Sequence, residues 1–254
     1  MMRKLFLTLL SLVLAFGGES PALDVAARHL EAYRQQRKAC GDEDELATLR
    51  LKANYIWLKS WIALETDDDA YVQAQKELLD LRERAYLLAK ARYEQGLASL
   101  RDVYETGAEL YAMTEHTEKV HPTLAEMKAM YSALFKGAKA MENRVDELKT
   151  AIIWFSHVEI ILSDVVRTNE KELFNLLQER YRQGLCSYWE LAHAKLNLLP
   201  LTNEEQYAAY TAELYNEIEE NAVSVAENDY RVTELLFLAR CSLVRCRKWS
   251  EFSH

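Results

Sequence analysis

One short phrase occurs twice in the 254-residue chain, and it constrains the fold more than any other feature. The first copy holds Leu88, Arg92, Tyr93, Gln95, Gly96, Leu97, Ser99 and Asp102. The second holds Leu176, Arg180, Tyr181, Gln183, Gly184, Leu185, Ser187 and Glu190, with Gly96 and Gly184 88 positions apart. Similarity at a fixed spacing marks a structural unit used twice. The first half of each copy reads as a helix end. Arg92 and Arg180 place a cation at the negative pole of the helix dipole. Gly96 and Gly184 can adopt the left-handed conformation that closes a helix. The second half reads as a helix start, with Ser99 and Ser187 as N-caps and Asp102 and Glu190 completing capping boxes. Ala98 with Val103, and Cys186 with Leu191, occupy hydrophobic-staple positions. Each copy therefore predicts a tight antiparallel helical hairpin.

The chain around these phrases favours helix throughout. Seven Gly and three Pro are few breakers for this length. Apolar residues recur at helical spacing from Leu46 to Leu88, interrupted at Thr66-Asp67-Asp68-Asp69. That acidic run reads either as a loop that starts a new helix or as a solvated turn of one long helix. A second helix runs from Ser99 to about Lys119, where His121-Pro122-Thr123 breaks it. A short helix follows over Leu124–Lys136. From Ala138 to Arg182 there is neither Gly nor Pro, which predicts one helix about 65 Å long. Its centre, Ala151 to Leu162, is apolar nearly all round and so predicts contact with two neighbours at once. The last segment begins at Ser187, kinks at Pro200 and continues to about Cys246. The fold class expected is all-α, an elongated coiled-coil-like bundle of long antiparallel hairpins in two tandem repeats, 19–136 and 137–254.

The N-terminus, residues 1–18, reads as a secretory signal. Arg3 and Lys4 precede an apolar run from Leu5 to Phe16 that is too short to span a bilayer. The expected location is the periplasm, with association to the outer membrane as the alternative. Formal charge is −9, or about −11 without Arg3 and Lys4, which argues against nucleic acid as a partner. Cys40, Cys186, Cys241 and Cys246 admit three full pairings in an oxidising compartment. A Cys40–Cys241 or Cys40–Cys246 bridge and buried free thiols are both compatible with the pattern. No Cys/His spacing suggests a metal, and no cofactor is implied. His29, His116, His121, His157, His193 and His254 are scattered, and no nucleophile arrangement or phosphate loop appears, so an enzyme is not expected. The carboxylates read as solvated helix faces with i,i+4 partners.

With these motifs the chain resembles the TolC-like outer-membrane efflux and secretion channel family. The resemblance rests on Arg92-Tyr93-Glu94-Gln95-Gly96-Leu97-Ala98-Ser99 and Arg180-Tyr181-Arg182-Gln183-Gly184-Leu185-Cys186-Ser187, each followed by an acidic and an apolar residue. It spans roughly residues 52–119 and 141–223. It implies trimers whose hairpins build a periplasmic tunnel, with tips that meet an adaptor protein and through it an inner-membrane pump. Arg92, Gly96, Leu97, Arg180, Gly184 and Leu185 would then be the docking residues, and Ser99, Asp102, Ser187 and Glu190 would hold the turns. Where that family inserts β-barrel strands between its repeats, this chain has only about His121 to Gly137. The function expected is a barrel-less, TolC-like component of an efflux or type I secretion assembly. The alternative is a soluble helical scaffold or chaperone of the envelope with no transport role.

Overall fold

A computed structural model describes residues 21–41, 44–63, 68–113, 120–138, 144–159, 163–198, 211–218, 220 and 230–252. The expected signal segment and Pro200 lie outside them. The described residues are all-α, with no strand among them.

Helix α1, Pro21–Ala39, opens on a proline whose fixed φ suits a first helical position. It ends at Gly41, φ 71°. Asp44 then caps α2, Glu45–Ala63, its Oδ1 accepting from the Leu46 and Ala47 amides at 3.0 and 3.4 Å. Helix α3, Asp68–Glu94, runs back along α2. Gln75 Nε2 donates to Ser60 Oγ at 3.1 Å near one end of the pair, and Arg92 Nη1 meets Asp44 Oδ1 at 3.0 Å at the other. Because α3 begins at Asp68 and runs antiparallel to α2, one long helix through the acidic run is not formed; residues 64–67 lie outside the described residues. Burial explains the pairing: Leu46, Leu49, Ala53 and Ile56 pack against Ala74, Leu78, Leu81 and Ala85, each set at helical spacing.

Helix α4, Leu100–Tyr111, returns along α3 and stops short of the expected Lys119. Its buried stripe runs from Val103 to Leu110. Helix α5, Leu124–Ala138, begins at a capping box in which the Thr123 amide donates to Glu126 Oε2 at 2.7 Å and the Glu126 amide to Thr123 Oγ1 at 3.2 Å.

The single 65 Å helix expected over 138–182 is not formed. Helix α6, Arg144–Ile153, runs into a π-helical turn, Trp154–Val158, and α7, Ser163–Arg182, doubles back. Arg144 Nη2 meets Glu172 Oε1 at 2.7 Å, and Val145, Leu148 and Ile152 pack on Leu173 and Leu177. The all-round apolar stretch does touch several neighbours at once, but they are the chain's own. Trp154 and Val158 lie against Tyr104, Ala108 and Met127. The wide turn is closed by the Glu159 amide on the Trp154 carbonyl at 3.0 Å and by Trp154 Nε1 on Glu159 Oε2 at 2.7 Å.

Helix α8, Tyr188–Leu198, returns along α7. A helical segment over 211–218 buries Leu214 and Ile218 against Ala192, Leu196, Leu235 and Ala239. The final helix, α9, Tyr230–Phe252, lies antiparallel on α1. Thr233 Oγ1 donates to Gln36 Oε1 at 2.6 Å, while Cys241 packs near Ala26. That register sets Cys40 and Cys241 about 18 Å apart along the helices, beyond disulfide reach. Cys40, Cys186 and Cys241 form no disulfide with one another, and the Cys246 side chain lies outside the described residues. Helices α2–α4 therefore form one three-helix copy of the repeat and α6–α8 the other, with α1 and α9 clasped beside them.

Candidate functional site: the twin hairpin tips

Each tip is built by the chemistry its sequence specifies. At the first, the Leu97 amide donates to the Arg92 carbonyl at 2.8 Å and the Gly96 amide to the Tyr93 carbonyl at 2.9 Å. At the second, the Leu185 amide donates to the Arg180 carbonyl at 2.8 Å and the Gly184 amide to the Tyr181 carbonyl at 3.0 Å. This is the Schellman arrangement, which needs a left-handed residue before the apolar one. Gly96 and Gly184 supply it with φ 73° and 70°.

The next helix is then capped reciprocally. Ser99 N–H donates to Asp102 Oδ2 at 2.8 Å, and the Asp102 amide to Ser99 Oγ at 3.2 Å. Ser187 N–H donates to Glu190 Oε2 at 3.0 Å, and the Glu190 amide to Ser187 Oγ at 3.3 Å. The backbone hydrogen bond from Ser187 holds the Glu190 carboxyl below its ordinary range. A Cβ at either glycine would meet nothing within 4 Å, so the conformational cost is the whole cost of substitution. Gly96→Ala and Gly184→Ala should each cost about 1–2 kcal/mol, additively in the double variant because the sites are distant. Urea unfolding of the two singles and the double checks this; strong non-additivity would mean that the tips are coupled.

Both tips face the same end of the molecule. Arg101, just past the first tip, donates from Nη2 to Thr150 Oγ1 at 3.2 Å. Tyr104 OH donates to the Thr150 carbonyl at 3.1 Å, and Ala108 packs with Trp154 and Val158. Helix α4 therefore runs parallel to α6. Since α3 is antiparallel to α4 and α7 to α6, α3 and α7 point the same way and carry their tips to one pole.

The exposed surface there is apolar and duplicated. Leu97 is 73% exposed and Leu185 62%, the two highest values among the large apolar residues described. Those values exclude a leucine folded back on its own hairpin as a cap contact. Tyr93 and Tyr181 stand beside them, 45% and 44% exposed. The sequence reading assigned these tyrosines no surface role, although both belong to the repeated phrase.

The two tip arginines are not equivalent. Arg92 is tied to Asp44 Oδ1 at 3.0 Å, with Arg37 also near that carboxylate at 3.9 Å, so it fastens the α1–α2 turn to the tip. Arg180 is half-buried and pairs with no carboxylate among the described residues. Cys186 takes the place of Ala98 and donates from Sγ to the Leu177 carbonyl at 3.2 Å.

His157 is half-buried against Ser156, with Nδ1 and Oγ 2.6 Å apart. Among the described residues, no group of His, Cys, Asp and Glu is placed to hold a metal, and no helix is long and apolar enough to cross a membrane. No family model, curated protein or solved structure matches the chain.

Proposed function

We propose that this chain is a periplasmic docking component of an export assembly, TolC-like in its tips, which grip an adaptor protein and through it an inner-membrane pump. The observation that carries this reading is the pair of identically built tips at one pole, each presenting an uncovered leucine and tyrosine. A soluble monomer has little reason to set large apolar groups at the apex of two turns, whereas a docking surface needs them. The turn beneath each pair is fixed by two main-chain hydrogen bonds and a capping box. Such rigidity lowers the ordering cost of association.

One observation favours the second reading, a soluble envelope scaffold with no transport role. Helix α2 folds back on α3 and α6 on α7, so each tip stands on three shorter helices. The longest described arm, α3 with 27 residues, is about 40 Å. Docking is common to both readings, and the assembly state separates them. Light scattering on the purified protein should show a trimer under the first and a monomer or dimer under the second.

The tips are tested by Leu97→Asp with Leu185→Asp. Each substitution removes about 1.5–3 kcal/mol of apolar contact from a docked complex, so together they should weaken partner binding 100-fold or more. The protein's own unfolding should be unchanged, since both side chains are exposed. A photo-crosslinker at 97 or 185 should label one envelope protein, and the double variant should lose it in a pull-down. Undiminished recovery of that protein would remove the tips from the proposal.

A further inference from the structure

Between the two repeats lies a cleft of about 750 Å³, walled by α6, α7 and α8 and bordered by α2, α4 and α9. That size suits a small organic ligand. Ile153, Leu173, Leu177 and Trp189 give it apolar surface. On the α7 wall stands Glu170, only 6% exposed, with Oε2 buried and without a hydrogen-bond partner among the described residues.

A buried carboxyl with nothing to pair it is costly. Burial alone pushes Glu170 up to about 7. None of the three cations that border the cleft, Arg50, Lys149 and Arg231, forms an ion pair with Glu170 among the described residues. Arg50 is committed to Glu105 and Glu109 at 2.9 Å each. His193 opens onto the same space.

We propose that this cleft binds an apolar organic cation, an amine or quaternary ammonium compound, with its charge on Glu170 and its body against Leu173, Leu177 and Trp189. The cation supplies the counter-charge that the fold withholds, and its apolar body displaces water from the leucines. The Trp189 ring adds an attraction for positive charge that neutral ligands lack. A second space of about 490 Å³ shares Arg50, Glu105, His193, Asn197 and Glu234 with the first. The cleft therefore extends towards Trp57 and has room for an elongated body. The cleft reaches Ser187 and Glu190 at the base of the second tip, but neither Leu97 nor Leu185 lines it.

The probe is rhodamine 6G, a rigid apolar cation, titrated into the purified full-length protein and followed by fluorescence anisotropy. Fluorescein, of similar shape and opposite charge, is the control. Saturable binding of rhodamine 6G is expected, with little uptake of fluorescein. Glu170→Gln, which keeps the shape and removes the charge, should weaken rhodamine binding tenfold or more. So should Asn197→Trp, which crowds the space from an exposed position. Circular dichroism should be unchanged in both. Absence of saturable binding, equal uptake of fluorescein, or a loss below tenfold in a folded Glu170→Gln protein would overturn the assignment.

Discussion

Glu109→Ala should lower the unfolding free energy by about 3–5 kcal/mol. Glu109 joins three helices. Its Oε1 accepts from Arg50 Nη2 of α2 at 2.9 Å, and its Oε2 accepts from Arg82 Nη1 of α3. Arg50 also meets Glu105 Oε2 at 2.9 Å, one turn earlier on α4. The side chains involved are 12–32% exposed. Removing Glu109 leaves two guanidiniums with one carboxylate between them, and the stranded charge dominates the cost. Replacing Arg50, Arg82 and Glu109 together by apolar residues of similar volume should cost less than the single change.

The same group makes stability depend on acid. Burial pushes the Glu109 carboxyl up, but Arg50 and Arg82 together pull it further down, to about 2 against 4.5 for an unperturbed glutamate. A carboxyl held below its unfolded value contributes stability that is complete above the unfolded value and is lost as the pH falls through the folded one. Thermal unfolding followed from pH 6 to pH 2 should therefore show a falling midpoint below about pH 4.5, with a shallower fall in Glu109→Gln. Parallel curves would remove Glu109 from the acid response.

The tips were legible in the sequence because helix stop and start signals are local. A left-handed glycine, a capping serine and an acid three residues on act within one turn, whatever the rest of the chain does. The reversal between α6 and α7 carries no such signal. It runs through Trp154–Val158 and on to Ser163 without Gly or Pro. An apolar stretch that turns on itself has the same periodicity as one that runs straight between neighbours. The capping box at Thr123 and Glu126 is readable in the sequence, but Pro122 beside it signals only a break.

The ion cluster was out of reach for a different reason. Charges on helices were read as solvated faces with partners four residues away. Arg50 instead finds Glu105 and Glu109 at separations of 55 and 59 residues, and Arg82 finds Glu109 at 27. Only the packing of α2, α3 and α4 sets those pairs. Glu170 was missed likewise, because a single acidic residue on a polar helix says nothing of burial until α7 is seen folded onto α6.

Phe237→Ala is expected to cost about 3–5 kcal/mol, and its effect should be local in a way that reveals how the chain's ends are held. Phe237 is fully buried on α9, against Ala26 and Tyr33 of α1 and Leu51 and Leu58 of α2. Helix α1 belongs to neither copy of the repeat and packs chiefly on α9, with the Arg37 guanidinium 4.4 Å from the Tyr230 ring and its Nη1 donating to Tyr33 OH at 3.0 Å. The cavity left by the ring therefore opens where α1 and α9 meet the outer face of α2, away from the tip and the ion cluster. Amide exchange should accelerate by about 100-fold or more over 21–39 and 230–242. Protection over 99–111, held by the capping box and the Arg50–Glu109 pair, should change far less. Phe237→Leu, which keeps most of the volume, should cost less than about 1.5 kcal/mol. Equal loss of protection in α1, α4 and α9 would mean that the clasp and the first repeat unfold as one unit.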